Sequence, residues 1–91
     1  MKILLEKINQ LFINLGFVTV KINDQSFLKY DEAYYKVSYV ESLDSIVIET
    51  AESLEEVRKN ILEDSDFYSL SLGEKGILET IKEDLLKYYI K

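Results

Sequence analysis

The chain has no cysteine and no histidine. Without cysteine there is no disulfide, no thiolate metal site and no thiol nucleophile. Without histidine, Ser-His-Asp and Cys-His catalysis are both excluded, and so is the commonest protein ligand for zinc, copper or nickel. Proline and tryptophan are also missing, and only three glycines are present, Gly16, Gly73 and Gly76. They are too scattered to form a phosphate-cradling loop. No apolar run approaches the roughly 18 residues needed to span a bilayer. The N-terminal Ile3-Leu4-Leu5 run is cut by Glu6 and is followed by no small-residue cleavage site, so no signal peptide is expected and the expected location is the cytoplasm.

What is present suits one small globular domain over residues 1–91. The composition is 47% hydrophobic and 31% charged, too apolar for a disordered chain. At 91 residues the core can only be small. The net charge of −6 is unevenly spread. Residues 41–66 carry nine acids (Glu41, Asp44, Glu49, Glu52, Glu55, Glu56, Glu63, Asp64 and Asp66) against two bases, Arg58 and Lys59. The rest of the chain is nearly balanced. An acidic surface repels phosphate backbones, so nucleic-acid binding is disfavoured and a basic protein is the natural complement. A purely solubilising role for the acidic segment is the alternative.

Hydrophobic spacing predicts a helix over 3–15, with Leu4, Ile8, Leu11 and Leu15 on one face and Gly16 as its cap. The β-branched run 17–22 predicts a strand. Asn23 to Ser26 reads as a turn, and Phe27 to Tyr30 as a short strand. Residues 34–51 alternate as a hairpin. A tip at Ser42-Leu43, or a wider loop, pairs Tyr39 with Ile46, Val37 with Ile48 and Lys36 with Glu49. Ser53 and Glu56 have capping-box spacing, and Leu54, Val57, Ile61 and Leu62 suggest a second helix over 53–64. Ser71 and Glu74 suggest a second capping box. A third helix follows, with Ile77 or Leu78, Ile81, Leu85, Tyr88 and Tyr89 as its stripe. The expected fold is therefore α+β: an N-terminal helix, a three- to four-stranded antiparallel sheet, and two C-terminal helices packed on one sheet face.

No constellation carries an obvious reaction. An EF-hand beginning at Asp64 needs Gly at its sixth position and Glu at its twelfth, where Ser69 and Lys75 stand. Beginning instead at Asp66 puts Tyr68 at the third position, which also fails. No carboxylate lies within an apolar run that would raise its pKa for general acid work. No G-x-S-x-G or S-x-x-K motif occurs. The expectation is a non-enzymatic chain without cofactor or metal. Its seven tyrosines include the adjacent pairs Tyr34-Tyr35 and Tyr88-Tyr89. Neighbouring strand residues face opposite ways, so Tyr34 is expected on an outer sheet face. Phe67 is expected to pin the connector after the second helix to the core, leaving Tyr68 beside the acids at the surface. Tyrosine is favoured at binding hot spots.

In its element layout and in the acidic block "ETAESLEEVRKNILEDSDFYSL", the chain resembles the small acidic immunity proteins of bacterial toxin–immunity systems. The resemblance covers nearly the whole layout but rests on no sharp motif. It implies an inhibitor that binds and neutralises a cognate toxin domain, often a basic nuclease. Charge and aromatic content nominate Glu52, Glu55, Glu56, Glu63, Asp64, Asp66, Tyr68 and Tyr34 as partner-binding residues. The alternative is a structural or regulatory protein acting through another protein partner or as a homodimer, using the outer tyrosine face.

Overall fold

A computed structural model describes residues 1–90. Helix α1 (Lys2–Asn14) precedes strands β1 (Val18–Ile22), β2 (Gln25–Tyr30), β3 (Ala33–Val40) and β4 (Ser45–Ala51). A short helix α2 (Leu54–Arg58), strand β5 (Glu63–Ser69) and helix α3 (Gly73–Asp84) follow, and α3 runs into a π turn over Leu85–Tyr89. The strands form one antiparallel meander in the order β1-β2-β3-β4-β5. The α+β class holds, with five strands where three or four were expected.

The expected second helix over 53–64 stops at Arg58, and its last two residues open the extra strand. α2 keeps its predicted start: Ser53 Oγ accepts from the Glu56 amide at 3.2 Å, and Glu56 Oε1 accepts from the Glu52 amide at 2.7 Å. It ends at Arg58 because Asn60 turns left-handed (φ 59°), and the Ile61 amide closes back on the Glu56 carbonyl at 2.8 Å. Asparagine is among the few residues that accept that conformation readily. Asp64, Ser65 and Asp66 then favour extended backbone over helix. Beside β4, residues 63–69 pair Tyr68 with Ile46 and Asp66 with Ile48. A register shift between Ile48 and Glu49 leaves Ser65 as an extra residue, the signature of a β-bulge.

The two sheet faces are covered unequally. α1 and α3 cover one face, burying Ile8, Phe12, Phe17, Leu28, Tyr35, Ile46, Ile48, Tyr68, Ile77, Ile81 and Leu85 together. α2 lies on the other face, where Val57 packs with Phe27, Tyr34 and Ala51. The two C-terminal helices thus sit on opposite faces, not on one. α1 ends as its sequence predicts. Gly16 takes φ 105°, its amide bonds to the Ile13 carbonyl, and the Phe17 amide bonds to the Phe12 carbonyl, both at 3.1 Å. That is a Schellman cap.

Turn chemistry sets the meander. Asn23 (φ 52°) and Asp24 (φ 64°) make a two-residue hairpin turn, narrower than the four residues expected, so Gln25 and Ser26 already belong to β2. The β3–β4 loop is the wider alternative. It is a 3₁₀ turn over Glu41–Leu43 closed by left-handed Asp44, and the pairs Tyr39–Ile46, Val37–Ile48 and Lys36–Glu49 form as predicted. The second expected capping box does not form. Ser71 lies in a 3₁₀ turn, its amide donating to Ser69 Oγ, and α3 begins at Gly73 with no side-chain cap.

Candidate functional site

The site lies where four chain segments meet at one end of the sheet. In an up-and-down meander, the β2–β3 turn, the end of β4 and the start of β5 share an end. α3 descends from the far end of β5, which brings its π turn to the same place. The Ile90 amide closes that turn on the Leu85 carbonyl at 2.8 Å. The widened turn separates the two adjacent tyrosines. Tyr89 turns inward against Tyr35, with ring centroids 5.4 Å apart, while Tyr88 stays 68% exposed. Of the adjacent pair, Tyr89 joins the buried stripe and Tyr88 is left outside it.

Two adjoining clefts open at this end, of about 360 and 350 Å³. Thr50, Glu52 and Tyr89 line both. The first adds Glu56, Ile61, Glu63, Asp64 and Ser65. The second adds Asp31, Glu32, Tyr30, Tyr35 and Tyr88. Together they bring six carboxylates and four tyrosine rings to one concave surface, and no Lys or Arg is among the lining residues. α1 and α3 both end at this end of the sheet, so the negative ends of their dipoles add to the carboxylate field. The ring of Tyr88 already carries a cation: Lys87 Nζ sits 5.3 Å from its centroid. Among the described residues, no group of three acidic side chains is arranged to hold a metal ion.

Hydrogen bonds fix the wall between the clefts. The Tyr68 hydroxyl on β5 donates to Asp84 Oδ2 at 2.7 Å, and the Tyr89 hydroxyl donates to Asp66 Oδ2. Both phenols are pushed well above the usual tyrosine range. Burial is the main cause, and the hydrogen-bonded carboxylate adds to it. Burial, and then the charge of Asp31, raises Tyr35 in the same direction. The Thr50 and Ser65 hydroxyls bond across the bulge, holding the mouth of the first cleft.

Four of the eight nominated residues come together here: Glu52, Glu56, Glu63 and Asp64. Glu55 does not, because it points away and pairs with Lys59 at 2.9 Å. Asp66 is half-buried as the acceptor for Tyr89. Tyr68 and Tyr34 are both buried, where exposed side chains were expected. Tyr68 is 3% exposed and Phe67 is 53% exposed, the inverse of the expectation. Strand alternation explains the inversion, because pairing with Ile46 turns Tyr68 toward the α1/α3 core. Tyr34 is 7% exposed beneath α2, so it does not lie on an open outer face.

Sequence reasoning missed Asp31 and Glu32, which lie outside the acidic segment and reach the cleft only through the β2–β3 turn. Its available signal was the adjacent acidic pair in a turn, on the same side of the meander as the 50–64 connection. No helix among the described residues is long and apolar enough to cross a membrane. Comparison with known proteins returned no match: no family model, no curated protein and no solved structure.

Proposed function

We propose that the protein is a non-enzymatic binding module, an immunity protein that neutralises a basic toxin domain, and that the acidic double cleft receives the toxin's Lys or Arg side chains. The observation that carries this reading is the convergence of Asp31, Glu32, Glu52, Glu56, Glu63 and Asp64 with Tyr30, Tyr35, Tyr88 and Tyr89, from four separate segments. A solubilising surface has no need of concavity or of aromatic walls. A guanidinium or ammonium group gains from both: carboxylates pair with its charge, and tyrosine faces stack on it. The summed negative field speeds encounter with a positive partner and rejects phosphate-bearing ones.

The test is capture from the source cell with the wild-type chain and with a Glu52→Lys/Glu63→Lys double variant as baits. A captured basic protein is then co-expressed with each bait. The expected result is a toxic partner held and neutralised by the wild type and released by the double variant, with association slowing steeply as salt rises. A partner that binds both baits equally, or one whose expression is harmless, would overturn the proposal.

A further inference from the structure

We propose that the free edge of β1 is a self-association surface, pairing antiparallel with β1 of a second copy about a two-fold axis at Val20 to give a continuous ten-stranded sheet. This inference is independent of the acidic cleft, because no residue of β1 lines either part of it. β1 is the first strand of the meander and pairs only with β2. Ile22 and Gln25 flank the two-residue turn as a hydrogen-bonded pair, so Val20 and Val18 also direct their backbone groups to β2. The amides and carbonyls of Thr19 and Lys21 therefore point outward along an edge without a bulge. Unpaired edges of this kind template the addition of another strand.

Charge and the bulge disfavour the other edge. The opposite edge, β5, carries Glu63, Asp64 and Asp66 and is broken by the bulge. Two copies meeting there would place like charges together across a distorted ladder. β1 carries one charge, Lys21. With the axis at Val20, each Lys21 meets Thr19 of the other copy and not the other Lys21. Val20 meets Val20, and Val18 meets Ile22, on one face of the new sheet. The outward groups of Thr19 and Lys21 then exchange hydrogen bonds twice over. A shift of the axis to Lys21 would oppose two ammonium groups. Exposed apolar side chains flank the edge as well. Val18 is 55% exposed on one face. On the other, Asn9 of α1 lines a cleft with Thr19, and Ile13, one turn further along α1, is 42% exposed.

The chain has no cysteine of its own, which makes single-cysteine variants direct reporters. At a non-hydrogen-bonded pair the facing Cα atoms lie about 4.5 Å apart, within disulfide reach. Val20→Cys is therefore expected to form an intermolecular disulfide at least about tenfold faster than Val18→Cys, whose opposite number is Ile22. Sedimentation of the wild type is expected to give a dimer. Thr19→Pro, which removes an outward amide and leaves the β2 pairing intact, is expected to give a monomer. A wild type that stays monomeric at its highest workable concentration overturns the proposal. So do equal cross-linking rates for the two cysteine variants, or an open series of larger oligomers, which would indicate β1 adding to β5 of the next copy. If Thr19→Pro fails to fold, the two cysteine variants still decide the matter.

Discussion

Tyr68 of β5 and Asp84 at the end of α3 are joined by a 2.7 Å hydrogen bond, and two residues earlier on the strand Asp66 accepts the reverse bond from Tyr89. Each element therefore contributes one donor and one acceptor. The pair of bonds ties β5 to α3 and its π turn, and it sets Tyr89 as the wall between the clefts. A hydrogen bond to an ionised partner contributes about 1.5–3 kcal/mol. Tyr68→Phe is expected to destabilise the chain by about 2 kcal/mol, because the Asp84 carboxylate keeps its place and loses its donor. The measurement is the urea midpoint at neutral pH. A Tyr68→Phe/Asp84→Ala double variant that costs no less than the sum of the two single changes would deny the coupling.

The raised phenols make stability fall at alkaline pH. Tyr68 and Tyr89 both have folded-state pKa values above the unfolded value of 10.0. The folded protein thus holds these protons more tightly than the unfolded chain does. The contribution is fully present below pH 10 and is lost progressively as pH rises above it. Urea midpoints are expected to drop from about pH 10 upward, together with tyrosinate absorbance that appears as the fold opens. Tyr68→Phe should flatten that slope while starting from a lower stability. An unchanged slope would remove Tyr68 from the effect.

The turn at Asn23-Asp24 invites a stabilising change. Asp24 holds φ 64°, which costs a non-glycine residue energy that glycine does not pay. Asp24→Gly gives the Asn-Gly pair favoured in this turn type, and it is expected to raise stability by about 0.5–1 kcal/mol. A lowered thermal midpoint would mean that the Asp24 side chain has a role that backbone conformation does not reveal.

The same local chemistry explains which parts of the fold were legible. Helix α1 and the β3–β4 register follow from strong period-3.6 and period-2 patterns, and both form as their residues predict. β5 was hidden because its inward positions, Asp66 and Tyr68, are polar, so no apolar alternation marks it. The bulge at Ser65 breaks the period-2 signal further. Leu54 and Val57 do pack as a helical pair, but Asn60 redirects the chain before Ile61, which is left 49% exposed. The cleft was half legible. The acids of 52–64 cluster in sequence, whereas Asp31, Glu32 and Tyr88 join them only through topology.

Six like charges around one cleft carry a cost to the empty fold, and that cost separates a binding surface from a solubilising one. Glu49 and Asp64 face each other directly across β4 and β5. The ammonium of Lys36, opposite Glu49 on β3, contacts Gln25 at 3.4 Å. Facing like charges destabilise a sheet by about 0.2–1 kcal/mol per pair. Salt screens exposed charges over about 10 Å at 0.1 M. Stability is therefore expected to rise with sodium chloride. Asp64→Asn and Glu63→Gln are each expected to raise the urea midpoint by the equivalent of about 0.5 kcal/mol at low ionic strength, and by less in high salt. Glu55→Gln, which removes the partner of Lys59 away from the cleft, should give no gain. If Glu63→Gln and Asp64→Asn match Glu55→Gln at every salt concentration, the carboxylates are too well solvated to feel one another. The cleft would then have no concentrated field with which to draw in a cationic partner.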